Sequence, residues 1–73
     1  MMNDEVIKFI ISRVIDNAND ALSEANSNKY DSFYKGRKLA YYEILDTIKN
    51  ELTAREQNLK DFGLDIDLEK TFL

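Results

Sequence analysis

Apolar residues follow a helical repeat in the first third of the chain. From Ile7 onward they recur at alternating steps of four and three residues, which places them along one side of a helix. This seam consists of Ile7, Ile11, Val14, Ala18, Ala21 and Ala25. Larger residues that flank the seam and widen it are Ile10, Ile15 and Leu22. The pattern predicts a first helix over about residues 4–26, with Asn3 or Asp4 as its N-cap.

A polar run then interrupts the repeat. Residues 26–29 carry side chains that compete for backbone hydrogen bonds, so we expect a turn there, with Asn28 or Asp31 as the next cap. A connection this short makes the two helices antiparallel neighbours. The second helix is predicted over about residues 30–62.

Continuity of the second helix is favoured because neither Gly nor Pro lies between Arg37 and Phe62. The alternative is a break near Leu52, since Thr53 and Glu56 have the spacing of a capping box. Gly63 is predicted to stop the helix in the left-handed conformation, which lets Leu64 fold back. The remaining tail, residues 63–73, is expected to be an extended segment, one turn of helix, or a frayed end.

Two adjoining apolar stripes run along the second helix. The first stripe consists of Phe33, Gly36, Arg37, Ala40, Ile44 and Ile48, and the second of Tyr34, Tyr41, Leu45, Leu52, Leu59 and Phe62. Pairing the helices outward from the turn sets Gly36 and Ala40 against the alanines of the first helix, so we predict a close backbone approach there. The alternative is that Gly36 is only a glycine that the helix tolerates, at a cost of about 1 kcal/mol relative to alanine. The candidate seam of the core or of a dimer is Ile7, Ile11, Val14, Ala18, Ala21, Gly36, Ala40, Ile44, Ile48 and Leu52.

The predicted fold class is therefore all-α. One domain, residues 1–73, forms a long antiparallel two-helix hairpin with a short C-terminal tail. With 73 residues and neither Cys nor His, the chain has no disulfide or metal to supplement a small core. Because one seam cannot bury two stripes, we predict a homodimer in which two hairpins form a four-helix bundle.

The chemistry available to the chain is narrow. Without His or Cys it lacks the groups that most often exchange protons or act as nucleophiles near neutral pH, so we expect a non-enzymatic protein. No cofactor and no metal are predicted, since the acidic residues near the end of the chain lack the spacing of a calcium loop. We expect a cytoplasmic protein without a membrane segment, because charged residues interrupt the apolar N-terminal cluster.

A basic and aromatic stretch follows the predicted turn. Residues 29–42 contain four basic side chains against a single Asp31, in a chain of net charge −4. The candidate interaction patch is Tyr34, Lys35, Arg37, Lys38 and Tyr41. The structural alternative is that these side chains only cap the end of the hairpin, with Lys and Arg stems over aromatic rings. The segment Gly36–Glu43 resembles one found in short uncharacterised bacterial helical proteins. This resemblance implies at most a bacterial or mobile-element origin and transfers no activity to this chain.

The predicted function is a protein–protein interaction or regulatory module with an unidentified protein partner. One alternative is a nucleic-acid-associated regulator that uses the basic, aromatic patch, although the net charge makes nucleic acid an unfavourable ligand. Another alternative is an inhibitor whose acidic surface mimics nucleic acid.

Overall fold

The computed structural model describes residues 4–73, which form a helical hairpin with a C-terminal segment folded back onto it. Helix α1 is Asp4–Ser27 and helix α2 is Ser32–Ala54. A 3-10 turn, Leu59–Phe62, and a short helix α3, Leu68–Phe72, follow. We call residues 59–73 the C-terminal arm. The predicted all-α hairpin with a short C-terminal tail is confirmed.

The apolar seam of α1 lies where the repeat predicts it. Ile11, Ala18, Ala21 and Ala25 are buried, and the seam is half-buried at its other positions. Three alanines occupy the successive seam positions nearest the turn, and larger side chains occupy the seam toward the open end. The helix begins at Asp4, and Asn3, the other predicted cap, lies outside the described residues.

The turn between the helices lies two residues later than predicted. Helix α1 continues to Ser27, and the side-chain amide of Asn28 donates to the Glu24 carbonyl oxygen at 2.8 Å. Asp31 caps α2, because its carboxylate accepts a hydrogen bond from the backbone N–H of Phe33 at 2.9 Å. This satisfies one of the backbone donors left open at the start of the helix.

Helix α2 ends at Ala54, so the predicted continuation to residue 62 is wrong. The backbone turns at Glu56, whose φ is +57°, and the Gln57 N–H donates to the Leu52 carbonyl oxygen at 2.9 Å. Together with the bond from Glu56 N–H to the Thr53 carbonyl oxygen, this is a Schellman stop with a glutamate in the left-handed position. Helix α2 therefore ends at the predicted capping box, Thr53 and Glu56, but the box does not form. The Thr53 hydroxyl donates instead to the Lys49 carbonyl oxygen within α2.

The rotation of α2 about its axis also differs from the predicted pairing. Gly36, Ala40 and Ile44 are exposed, and a Cβ added to Gly36 would meet nothing within 4 Å. The predicted close approach of these residues to α1 is wrong. The side of α2 that packs inward carries Tyr41, Leu45, Ile48 and Leu52 instead. Aromatic bodies and aliphatic stems cover more apolar surface than the small residues do.

The C-terminal arm completes the core. Leu64, Leu68 and Phe72, spaced four residues apart, are each at most 4% exposed and pack with Ile11 and Leu45. Gly63 has the predicted left-handed conformation, with φ +73°, and the Leu64 N–H donates to the Leu59 carbonyl oxygen at 3.0 Å. Of the three conformations considered for the tail, a turn of helix is the one observed. The arm thus buries apolar surface that the sequence pattern assigned to a second chain.

Candidate functional site

The arm covers one face of the hairpin and leaves the other open. Lys8 and Ile15 lie on the flank of α1 that meets the arm: the Lys8 ammonium is 5.8 Å from the Phe62 ring centroid, and Ile15 lies beside Gly63. On α2, Lys49 lies on the flank that meets the arm, and its ammonium donates a hydrogen bond to the Ile66 carbonyl oxygen. At 100° per residue, Ile10 and Ile44 project from the opposite flanks of the two helices.

The side chains on that open side are apolar and exposed. Ile10 and Ile44 are each 45% exposed, and Phe33, three turns before Ile44, is 67% exposed. Ala40, one turn before Ile44, is exposed too. We call Ile10, Phe33, Ala40 and Ile44 the uncovered face. A group of apolar side chains on one side of a small protein is typical of an interaction surface.

Arg37, in the candidate basic patch, is engaged within the chain. Its guanidinium forms an ion pair with Glu24 at 2.9 Å and lies 5.6 Å from the centroid of the Tyr41 ring. The Arg37 side chain is 32% exposed. These contacts join α2 to α1 beside the turn, which is the capping role that was considered as the alternative to binding.

The other residues of the patch do not form one continuous surface. Lys35 is exposed and lies 200° around α2 from Arg37, while Lys38 and Tyr34 are half-buried. The Tyr34 ring meets Phe33 edge to face, with centroids 5.2 Å apart. The structure thus divides the predicted patch between two sides of α2, and its role in binding stays a prediction.

The hairpin turn carries an exposed aromatic side chain above a shallow depression. Tyr30 is 99% exposed, and residues 27–32 line a depression of about 520 Å³ that opens to solvent. Its lining is serine, asparagine, lysine, tyrosine and aspartate side chains. An open depression of this kind does not exclude water or fix a small molecule on several sides.

Acidic residues gather where the arm meets α2. Burial raises the pKa of the Tyr42 hydroxyl above its ordinary value, and the nearby carboxylates of Asp46, Glu69 and Asp67 raise it further. Asp67 is engaged as the cap of α3, where it accepts from the Lys70 N–H at 3.1 Å. Among residues 4–73, no three His, Cys, Asp or Glu side chains are arranged to hold a metal ion.

Comparison with known proteins adds no relative. No family model, curated protein or solved structure matches this chain. Within the described part of the chain, no helix is both long enough and apolar enough to cross a membrane.

The uncovered face was only partly foreseen from the sequence. Ile10 was recognised as a residue beside the main seam, and Ala40 and Ile44 were placed on a stripe that was expected to face α1. The repeat predicted two stripes on the second helix, but Leu59 and Phe62 of the second stripe lie in the 3-10 turn, and the repeat did not say which stripe the arm would cover. The spacing of Leu68 and Phe72 was the available signal for the arm, because a step of four residues places both side chains on one side of a helical turn.

Proposed function

We propose that this protein is a non-enzymatic interaction module whose uncovered face binds a second copy of the same chain. The observation that carries the proposal is the exposure of Ile10, Phe33 and Ile44 on the side of the hairpin that the arm does not cover. Two such hairpins, packed face to face, make a four-helix bundle with the two arms on its outer sides.

Charge favours this orientation of two copies over one in which the two arms meet. The chain has a net charge of −4, so two copies repel each other over long distances. The arm contributes several of the acidic residues, including Asp61, Asp65 and Glu69. Contact through the uncovered faces places the two arms as far apart as the assembly allows. The ion pair between Arg37 and Glu24, which borders the face, is neutral as a unit.

The size of the face sets the strength of the dimer. From their exposed fractions, Ile10, Phe33 and Ile44 leave roughly 300 Å² of surface per chain, or about 600 Å² for a pair. Stable interfaces bury more than about 1,000 Å², so polar neighbours must supply the rest. We therefore expect an equilibrium between monomer and dimer that depends on concentration over the micromolar range.

A pair of matched variants tests this proposal. Ile44 and Leu39 are both aliphatic residues of α2, both are 45% exposed, and they lie on opposite flanks of the helix. Ile44→Glu places a charge in the proposed interface, where it loses water without gaining a partner. We expect it to weaken the association measured by light scattering at least tenfold, while Leu39→Glu leaves the association within about twofold. Equal effects of the two variants would contradict the proposed surface.

A further inference from the structure

The loop between α2 and the arm opposes the conformational preferences of its own residues. Glu56 has a φ of +57°, where a side chain crowds the backbone, and it is the one non-glycine residue with positive φ among the described residues. Arg55, Glu56 and Gln57 are all good helix formers. Local preference therefore favours continuation of α2 through residues 55–57, and docking of the arm opposes this continuation.

The arm cannot leave its docked position unless its buried side chains pack against another apolar surface. Leu64 and Phe72 are at most 1% exposed, and Leu68 is 4% exposed. Leaving these three side chains in water would expose a large part of the core that the chain possesses. An arm that leaves its own hairpin therefore requires another hairpin with the same groove, which is the apolar surface of α1 and α2 that the arm covers.

We infer that the arm exchanges between two copies of this chain, with residues 55–58 acting as the hinge. In the exchanged form, α2 continues as a helix through the hinge to Asn58 and carries the arm, residues 59–73, away from its own groove. Four further helical residues move the arm by about 6 Å along the axis, so it loses register with the groove it occupied. The arm then docks in the groove of the other copy, and that copy's arm docks in return.

A second copy is the occupant because its groove reproduces every contact that the arm makes in the closed chain. These contacts include the hydrogen bond from the Lys49 ammonium to the Ile66 carbonyl oxygen and the packing of Phe62 beneath Lys8. Only the hinge differs between the two forms. Short strained hinges of this kind favour exchange of a terminal element. This inference concerns the arm side of the hairpin and does not rest on the uncovered face.

Variants at the hinge shift the balance in opposite directions. Glu56→Gly favours the left-handed turn and disfavours the continuous helix, so we expect the association constant of the exchanged dimer to fall at least about tenfold, since two hinges contribute. Glu56→Ala favours the helix and should raise it. Glu43→Gly is the control: it weakens an exposed position that is helical in both forms, so it should lower the melting temperature and leave the association constant unchanged.

Crosslinking identifies whose arm occupies the groove. The chain has no cysteine, so single cysteines can be placed freely, and Asp46 and Glu69 both lie near Tyr42 across the contact between α2 and the arm. We mix Asp46→Cys chains with Glu69→Cys chains, concentrate, dilute, and add a short bis-maleimide. Exchange predicts a covalent heterodimer. The double variant in one chain is the positive control, and Asn26→Cys mixed with Glu69→Cys is the negative control.

The outcomes separate exchange from face-to-face association. Heterodimer formation that falls with Glu56→Gly and survives Ile44→Glu supports exchange. Dimers seen by light scattering without crosslinking between chains, while the double variant crosslinks within its chain, overturn exchange and leave the proposed function standing. An identical yield for Glu56→Gly and Glu56→Ala would also overturn it, because the hinge would then play no part.

Discussion

The two glycines of the chain are expected to respond in opposite directions to replacement by alanine. Gly36 lies in the exposed middle of α2 with open space around it, so Gly36→Ala should stabilise the monomer by up to about 1 kcal/mol. Gly63 has a φ of +73°, and its nearest neighbour is an ordinary 3.6 Å from an added Cβ, so Gly63→Ala should cost about 1 kcal/mol through the backbone alone. Urea unfolding at low protein concentration measures both changes. Equal signs would contradict the assigned conformations.

Tyr42 gives the molecule a pH dependence in the alkaline range. Its pKa in the folded chain is raised above 10.0, first by burial and then by Asp46, Glu69 and Asp67. The Tyr42 hydroxyl therefore loses its proton at a lower pH in the unfolded chain than in the folded chain. Its contribution to the free energy of unfolding is complete below pH 10.0 and is lost as the pH rises through the pKa of the folded chain. We expect Tyr42→Phe to show a smaller decrease in melting temperature above pH 10 than the unmodified chain. Parallel decreases would show that other groups control the alkaline transition.

At the scale of elements, the arm is the part whose removal should matter most. Phe72 is 1% exposed and Leu73, its neighbour, is 69% exposed. Phe72→Ala should cost about 3–5 kcal/mol, whereas Leu73→Ala should lie within about 0.5 kcal/mol of the unmodified chain. A loss of that size is comparable with the whole stability of a domain this small. Similar denaturation midpoints for the two variants would show that the arm is not docked in solution.

The helices could be predicted where a single local rule decides them. The seam of α1 follows from its spacing, and the cap at Asp31 and the left-handed Gly63 follow from side-chain and backbone chemistry. The end of α2 could not be predicted in this way. Residues 55–58 favour a helix locally, and only the burial of the arm, which is a tertiary effect, makes the turn at Glu56 favourable.

The candidate site depended on the same tertiary choice. Which stripe of α2 faces solvent is decided by which flank the arm covers. Arg37 and Tyr41 pack inward through their stems and rings, while Ile44 is left outside. A pattern that counts apolar residues ranks Ile44 above Arg37 for burial, so the rotation of α2 was predicted incorrectly. The ion pair between Arg37 and Glu24 joins residues thirteen positions apart, so it could not be predicted from a local sequence pattern either.

At the scale of the whole molecule, the arm covers one side of a long and narrow hairpin. The chain is 41 Å long and only 16–20 Å wide, so its surface is large relative to its core. The arm covers one side of the hairpin and carries several acidic residues, and the uncovered face is the surface that we propose for a second chain. Under this proposal, a small chain both folds by itself and associates.

The mass of the unmodified chain as a function of concentration tests the central claim most directly. Sedimentation equilibrium from about 1 µM to about 1 mM should show the mass rising from 8.5 kDa toward twice that value, because the small uncovered face predicts a weak dimer that dissociates on dilution. Circular dichroism should show nearly the same helix content throughout, because each chain is already folded and exchange of the arm adds only the four hinge residues to α2. A mass that stays at 8.5 kDa over the whole range would contradict self-association. Helix content that appears only with the dimer would contradict the core built by the arm.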